Sequence, residues 1–150
     1  MEIHPDFRDL LTAFARHGVR YLLVGGYAVS FHSKPRFTKD MDIWVGPGEE
    51  NFARLAAALC AFGAPVSVLS SMEEWSDDEI LYMGSPPVRI DLLKTIPGVS
   101  FEEALPHAVT ADWEGAPVSV IGLDDLIRNK EATARRQDLR DAAALRRQRR

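Results

Sequence analysis

Between Lys39 and Val45 the chain reads Lys-Asp-Met-Asp-Ile-Trp-Val, an alternation of polar and apolar residues with the two-residue period of a β-strand. Met41, Ile43 and Val45 then share one face, while Asp40 and Asp42 project from the other together with Trp44. Such a strand limits what the chain can become. Its apolar face needs a cover, and its acidic face needs solvent or a cation, because neighbouring carboxylates repel and are costly on a packed surface.

The flanking sequence supplies the cover. Phe7, Leu10, Leu11 and Phe14 fall at helical spacing between Pro5 and His17, and a second helical pattern runs from Glu49 to about Phe62. Arg20-Tyr-Leu-Leu-Val is a short apolar strand that stops at Gly25-Gly26 before the helix-compatible Tyr27-Ala-Val-Ser-Phe-His, and Lys34-Pro35 breaks that helix. Further strands are predicted at Val66 to Leu69, near Glu79 to Met83, at Val88 to Leu93 after the Ser85-Pro-Pro turn, and at Val118 to Ile121. Gly122-Leu-Asp-Asp then offers an aspartate to cap a closing helical tail. Without a repeat or linker, the 150 residues, 46% hydrophobic and 27% charged, read as one domain, 1–150, of α/β class. The expected architecture is a short mixed sheet with helices on one face and carboxylates on the other.

Charge and cysteine content narrow the function. A net charge of −4 argues against a protein that coats nucleic acid by bulk electrostatics, although arginines crowd the end of the chain. Those tail arginines read as a solvated helix end. Cys60 is the only cysteine, so neither a disulfide framework nor a cysteine-based zinc site is available. No stretch approaches the roughly twenty apolar residues of a membrane span, and the first residues lack a basic segment followed by an apolar one. The expectation is a soluble, cytoplasmic protein without a membrane partner.

The later strand repeats the acidic logic. Val88, Ile90 and Leu92 share a face, leaving Asp91 opposite with Arg89 and Leu93. Should the two strands be neighbours, Asp91 joins Asp40 and Asp42 in a triad of hard oxygen donors, suited to magnesium or manganese and able to accept a proton from an attacking hydroxyl. Gly25-Gly26, at a strand-to-helix turn, leaves backbone N–H groups open to an anion such as a triphosphate. Arg36, Thr38 and Lys39 precede the acidic pair and suit phosphate contacts. His4, His17, His32 and His107 show no metal-ligand spacing, and Trp75 and Trp113 read as core, whereas Trp44 on the acidic face is a candidate to stack on a base.

Taken in order, Val24-Gly-Gly-Tyr-Ala, a helix, Arg36-Phe-Thr-Lys-Asp-Met-Asp-Ile and a lone aspartate on a later strand resemble the nucleotidyltransferase superfamily. The likeness is to its small bacterial Gly-Gly members: lincosamide-type antibiotic nucleotidyltransferases and the toxins of toxin-antitoxin and abortive-infection systems. The resemblance implies a polymerase beta-like fold, phosphate binding at Gly25 and Gly26, and catalytic metal at Asp40, Asp42 and Asp91. It implies an NTP as donor, with a tRNA, a protein or a small drug-like alcohol as acceptor. It also implies an antitoxin partner or a homodimer to complete the acceptor pocket. The closing segment matches at Lys130, Arg135 and Asp138; Lys130 would reach the triphosphate and Asp138 would orient basic neighbours. Two positions depart from the pattern: Gly26 replaces a frequent serine, and Gln137 replaces a lysine for which Arg136 is a candidate substitute. A non-catalytic nucleotide- or partner-binding module of the same fold is the alternative those departures leave open, and a purely structural protein is the third.

Overall fold

A computed structural model describes residues 3–149. The chain runs α1 (Pro5–Arg16), β1 (Tyr21–Val24), α2 (Gly25–His32), β2 (Asp40–Val45), α3 (Glu49–Phe62), α4 (Val66–Ser71), β3 (Leu81–Met83), β4 (Arg89–Leu93), α5 (Phe101–Ala104), β5 (Val109–Trp113), β6 (Ala116–Val120), α6 (Leu123–Thr133) and α7 (Arg136–Arg146). The strands form one mixed sheet in the order β3-β4-β2-β1-β6-β5. The pairs β2–β4 and β1–β6 are parallel and the others antiparallel.

Strand alternation splits the sheet as the sequence implies. Leu23, Met41, Ile43, Ile90, Leu92 and Val120 point to one side, where α1 packs on α3 and β6 and brings Phe7, Leu10, Leu11 and Phe14 into full burial. Burying each such side chain contributes about 1.5–3 kcal/mol, which is why the short strands persist. Phe14 meets Tyr21 edge-on at 5.3 Å between ring centres. On the opposite side Asp40, Asp42 and Asp91 occupy one end, while Trp44 lies beneath α5, its ring 5.2 Å from that of Phe101. The α6–α7 hairpin packs on α2 and borders the acids.

Several elements differ from expectation for local reasons. Residues Val66–Ser71 form a helix, not a strand; Pro65 sits at its N-cap, Val68 alone is buried, and Val66 is 77% exposed. The closing tail is two helices, because Ala134 adopts a left-handed conformation at φ 54° and turns the chain back. No aspartate side chain caps α6: Gly122 is its N-cap, and Asp124 and Asp125 lie in the first turn, where the positive end of the helix favours them. The hairpin strand β5 and the short helix α5 lie in a stretch for which the sequence pattern predicted no element.

One buried polar side chain ties the sheet to its covering helix. Asn51, at the start of α3, accepts from the Arg20 backbone N–H at 2.7 Å and donates to the carbonyls of Arg20 and Gly46 at 3.0 and 2.8 Å. Those two residues flank β1 and β2, so Asn51 fixes the antiparallel pair that brings the end of β1 beside the start of β2. Replacing it leaves buried backbone groups without partners, at about 1–3 kcal/mol. Asn51→Leu is therefore expected to lower the urea midpoint by that equivalent with an unchanged m-value.

Candidate active site

The site begins with strand register. Parallel pairing of β2 with β4 sets Asp42 directly opposite Asp91 and Asp40 opposite Arg89. One carboxylate oxygen from each of Asp40, Asp42 and Asp91 lies within 4.8 Å of the others. Burial, then the charges of Asp91 and Asp40 and a hydrogen bond with Asp91, push the Asp42 carboxyl from an ordinary 3.8 up to about 7, with Lys130 opposing. Such a group is short of positive charge. Three hard oxygen donors at this separation fit a divalent cation of the magnesium or manganese kind, which takes few protein carboxylates and completes its shell with water or phosphate. Among the described residues this is the one cluster of three or more His, Cys, Asp or Glu side chains so spaced.

Arg89 holds the third carboxylate in place. Its Nε donates to Asp91 Oδ1 at 2.7 Å, and its guanidinium lies 4.2 Å from the centre of the Tyr82 ring. The sequence put Arg89 on the face of Asp91, two residues away, and left open whether the aspartate faces water or pairs with an arginine; the two pair.

The glycine turn meets the acids because β1 and β2 are antiparallel: Val24, the last residue of β1, stands opposite Asp42. Gly25 follows with φ +66°, and a Cβ added there would lie 2.1 Å from Asp42 Oδ2. Both the backbone conformation and the space demand glycine. At Gly26 a Cβ would fall 2.5 Å from Thr38 Cγ2, so Thr38 occupies the room that a larger turn residue would need. No side chain caps α2, and its first backbone N–H groups remain available at the cleft wall.

Across the cleft stands a chain of ion pairs. Lys130 Nζ lies 3.3 Å from Asp138 Oδ1 and 3.2 Å from Asp141 Oδ2. Arg36 grips both oxygens of Asp141, Gln137 donates to it at 2.9 Å, and Arg135 Nε donates to Asp138 at 2.7 Å. Asp138 and Asp141 are 2% and 3% exposed. Burial alone would push both carboxyls up. For Asp138, hydrogen bonds from Arg135 and Thr133 and the charge of Lys130 win, bringing it down to about 2. For Asp141, Arg36, Gln137 and Lys130 likewise hold it below its ordinary value. Three cations against two anions leave one positive charge facing the acidic triad.

Gly25, Gly26, Arg36, Asp40, Asp42, Asp91 and Lys130 thus line one cleft of about 520 Å³, and Thr38 borders a second groove that opens from it. Asp138 pairs with Lys130 and Arg135. Arg135, not Arg136, lines the cleft, and Gln137 serves Asp141. Trp44 is not a base-stacking platform: it is 1% exposed, with Nε1 donating to the Lys94 carbonyl at 3.1 Å. Asp141 escaped the sequence reading, although its spacing from Asp138 places both on one face of α7.

No protein-family model matches the sequence, and no curated protein matches it. Among solved structures, the chain is similar to an antigenic nucleotidyltransferase-like protein from Paracoccidioides brasiliensis, with a TM-score of 0.55 and 16% sequence identity over 97% of this chain and 78% of that one. The fold is nucleotidyltransferase-like. Within that fold, this chain carries an acidic triad, a glycine turn pressed against it and a facing cationic wall. Among the described residues, no helix is long and apolar enough to cross a membrane.

Repulsion within the triad has a measurable sign. Asp42 holds its proton more tightly folded, at about 7, than unfolded, at 3.8, so raising the pH through that window removes stability. Relative to Asp42→Asn, which cannot ionise, the metal-free wild type is expected to lose about 1–3 kcal/mol between acid and mildly alkaline pH, and no more above the folded value. Thermal melts of both proteins across that range check this, and magnesium should restore the wild type alone at the alkaline end.

Proposed function

We propose that the protein is a metal-dependent nucleotidyltransferase that moves a nucleoside monophosphate from an NTP to an acceptor hydroxyl and releases pyrophosphate. The observation that carries this reading is the register-locked triad, whose Asp42 is short of positive charge at neutral pH. Bound at Asp40, Asp42 and Asp91, magnesium or manganese would supply charge neutralisation at the phosphate and at the attacking oxygen.

The chain's own groups account for the rest. Gly25 and Gly26 let backbone N–H groups approach phosphate oxygens without a side chain between them. Lys130, Arg36 and Arg135 stand where the triphosphate's negative charge would accumulate, pre-aimed by Asp138 and Asp141. Thr38 packs its methyl group against Gly26 and holds the loop close to the turn. The acceptor oxygen attacks the α-phosphorus, the bond to pyrophosphate breaks in line, and the hydroxyl proton passes to a carboxylate of the triad. Asp91 is held for this chemistry by Arg89, which donates to its Oδ1.

The acceptor is a hydroxyl of a tRNA or a protein, and the biological setting is that of a toxin with a neighbouring antitoxin, in the cytoplasm. A second copy of the chain or the antitoxin would complete the acceptor side. Purified protein incubated with each radiolabelled NTP, magnesium or manganese, total tRNA and cell extract tests the activity. Asp42→Asn should lower transfer by more than about 100-fold, the upper end of what losing an outer-shell partner does. Lys130→Gln should weaken NTP binding by about tenfold or more, as expected for loss of a charged hydrogen bond. Unaltered transfer in Asp42→Asn would refute the metal-site reading.

A further inference from the structure

We infer that the loop between α2 and β2 seats the acceptor, and that the acceptor is the single-stranded 3′ end of an RNA whose terminal base stacks on Phe37. This deepens the transferase reading and rests on it. Two grooves continue from the cleft, the first sharing Asp40 and Asp42 with it and the second joined to the first at Arg36, Phe37 and Thr38. The first, about 450 Å³, runs over Arg36, Phe37, Thr38 and Lys39. The second, about 540 Å³, continues past Arg36, Phe37 and Thr38 to Tyr27, Pro35 and Pro87. Arg36 borders all three spaces, so a strand lying along the loop leads directly to the carboxylates.

Phe37 is held out on purpose-built supports. Its neighbours are anchored: Arg36 is clamped to Asp141, and Thr38 packs against Gly26. Between them the phenyl ring is 75% exposed, at the junction of the two grooves. The outer groove is walled by the aromatic rings of Tyr27 and Phe37 and by the pyrrolidines of Pro35 and Pro87, with no Val, Leu, Ile or Met among its lining residues. An exposed aromatic ring in such a groove offers a flat face on which a nucleobase can stack.

Charge selects in the same direction. In a chain of net charge −4, the run Lys34-Pro-Arg-Phe-Thr-Lys39 places three cations around one exposed aromatic ring. His4 and Arg36 line the outer groove, and no carboxylate does. Lysines on either side of a stacking platform track a phosphate backbone, and the absence of a carboxylate from the groove favours an anionic strand. The 3′-terminal ribose oxygen then forms the new bond to the α-phosphorus, pyrophosphate carries off the old one, and the hydroxyl proton goes to the triad.

The test measures RNA binding and donor binding separately. A short fluorescein-labelled single-stranded RNA with a free 3′ hydroxyl is titrated with wild type, Phe37→Ala, Phe37→Trp and Lys34→Gln, while binding of a fluorescent ATP analogue with manganese is followed in parallel. Expected are about tenfold weaker RNA binding by Phe37→Ala, retention by Phe37→Trp and a shallower salt dependence for Lys34→Gln, with nucleotide affinity unchanged in all three. RNA binding that is absent, or equal in wild type and Phe37→Ala, overturns the proposal, as does label transfer to protein that falls in Phe37→Ala and is indifferent to added RNA. Failure of wild type to bind the nucleotide would instead refute the transferase reading, whatever the RNA result.

Discussion

Everything at the site follows from one unfavourable contact, the packing of three carboxylates within a few ångströms of one another by backbone pairing. Side-chain repulsion would spread flexible acids apart, so they have to be fixed by something stronger. The strand ladder does this: β2 and β4 are both interior strands of the sheet, and Met41, Ile43, Ile90 and Leu92 on the reverse side are buried. The free energy of that apolar face holds the acids together. Their mutual repulsion in turn makes the site receptive to a cation, which is how a destabilising contact becomes a binding determinant.

The opposing wall solves the converse problem. Lys130 is nearly inaccessible, and an isolated buried ammonium would be expensive. Asp138 and Asp141 compensate it, and Arg36, Gln137 and Arg135 satisfy their remaining oxygens. The outcome is a rigid cationic surface whose geometry is set before any ligand arrives, so less ordering is required when phosphate binds. Arg36 also couples this wall to the loop that carries Phe37.

The carboxylate side was legible in the sequence because it depends on a two-residue period and a glycine pair, both local signals. Asp40, Asp42 and Asp91 could be placed on faces from alternation alone; only the adjacency of their strands needed the structure. What was not legible depends on tertiary partners. Val66-Ser-Val-Leu alternates like a strand, yet follows Pro65 and has a single side chain to bury, so a helical turn wins. The β5–β6 hairpin turns through Glu114 and Gly115, both at positive φ, and a glutamate gives no turn signal there. Trp44 shares the alternation of the acids, but α5, a four-residue helix without periodicity of its own, covers it. Asp141 looked like an ordinary helix-surface acid because its cationic partners lie elsewhere in the chain.

The tie between Arg36 and Asp141 spans 105 positions, and this has a consequence for a chain made from one end. In chain order, both acidic strands and the glycine turn are complete at Leu93. Arg36 still has no anion to hold it, and Lys130 has not yet been added. The negative half of the site is therefore complete well before its positive half, and the loop bearing Phe37 is settled only when α7 docks. The residues that would orient a nucleotide are thus among the last to join the chain, and maturation of the site waits on the docking of its last helix.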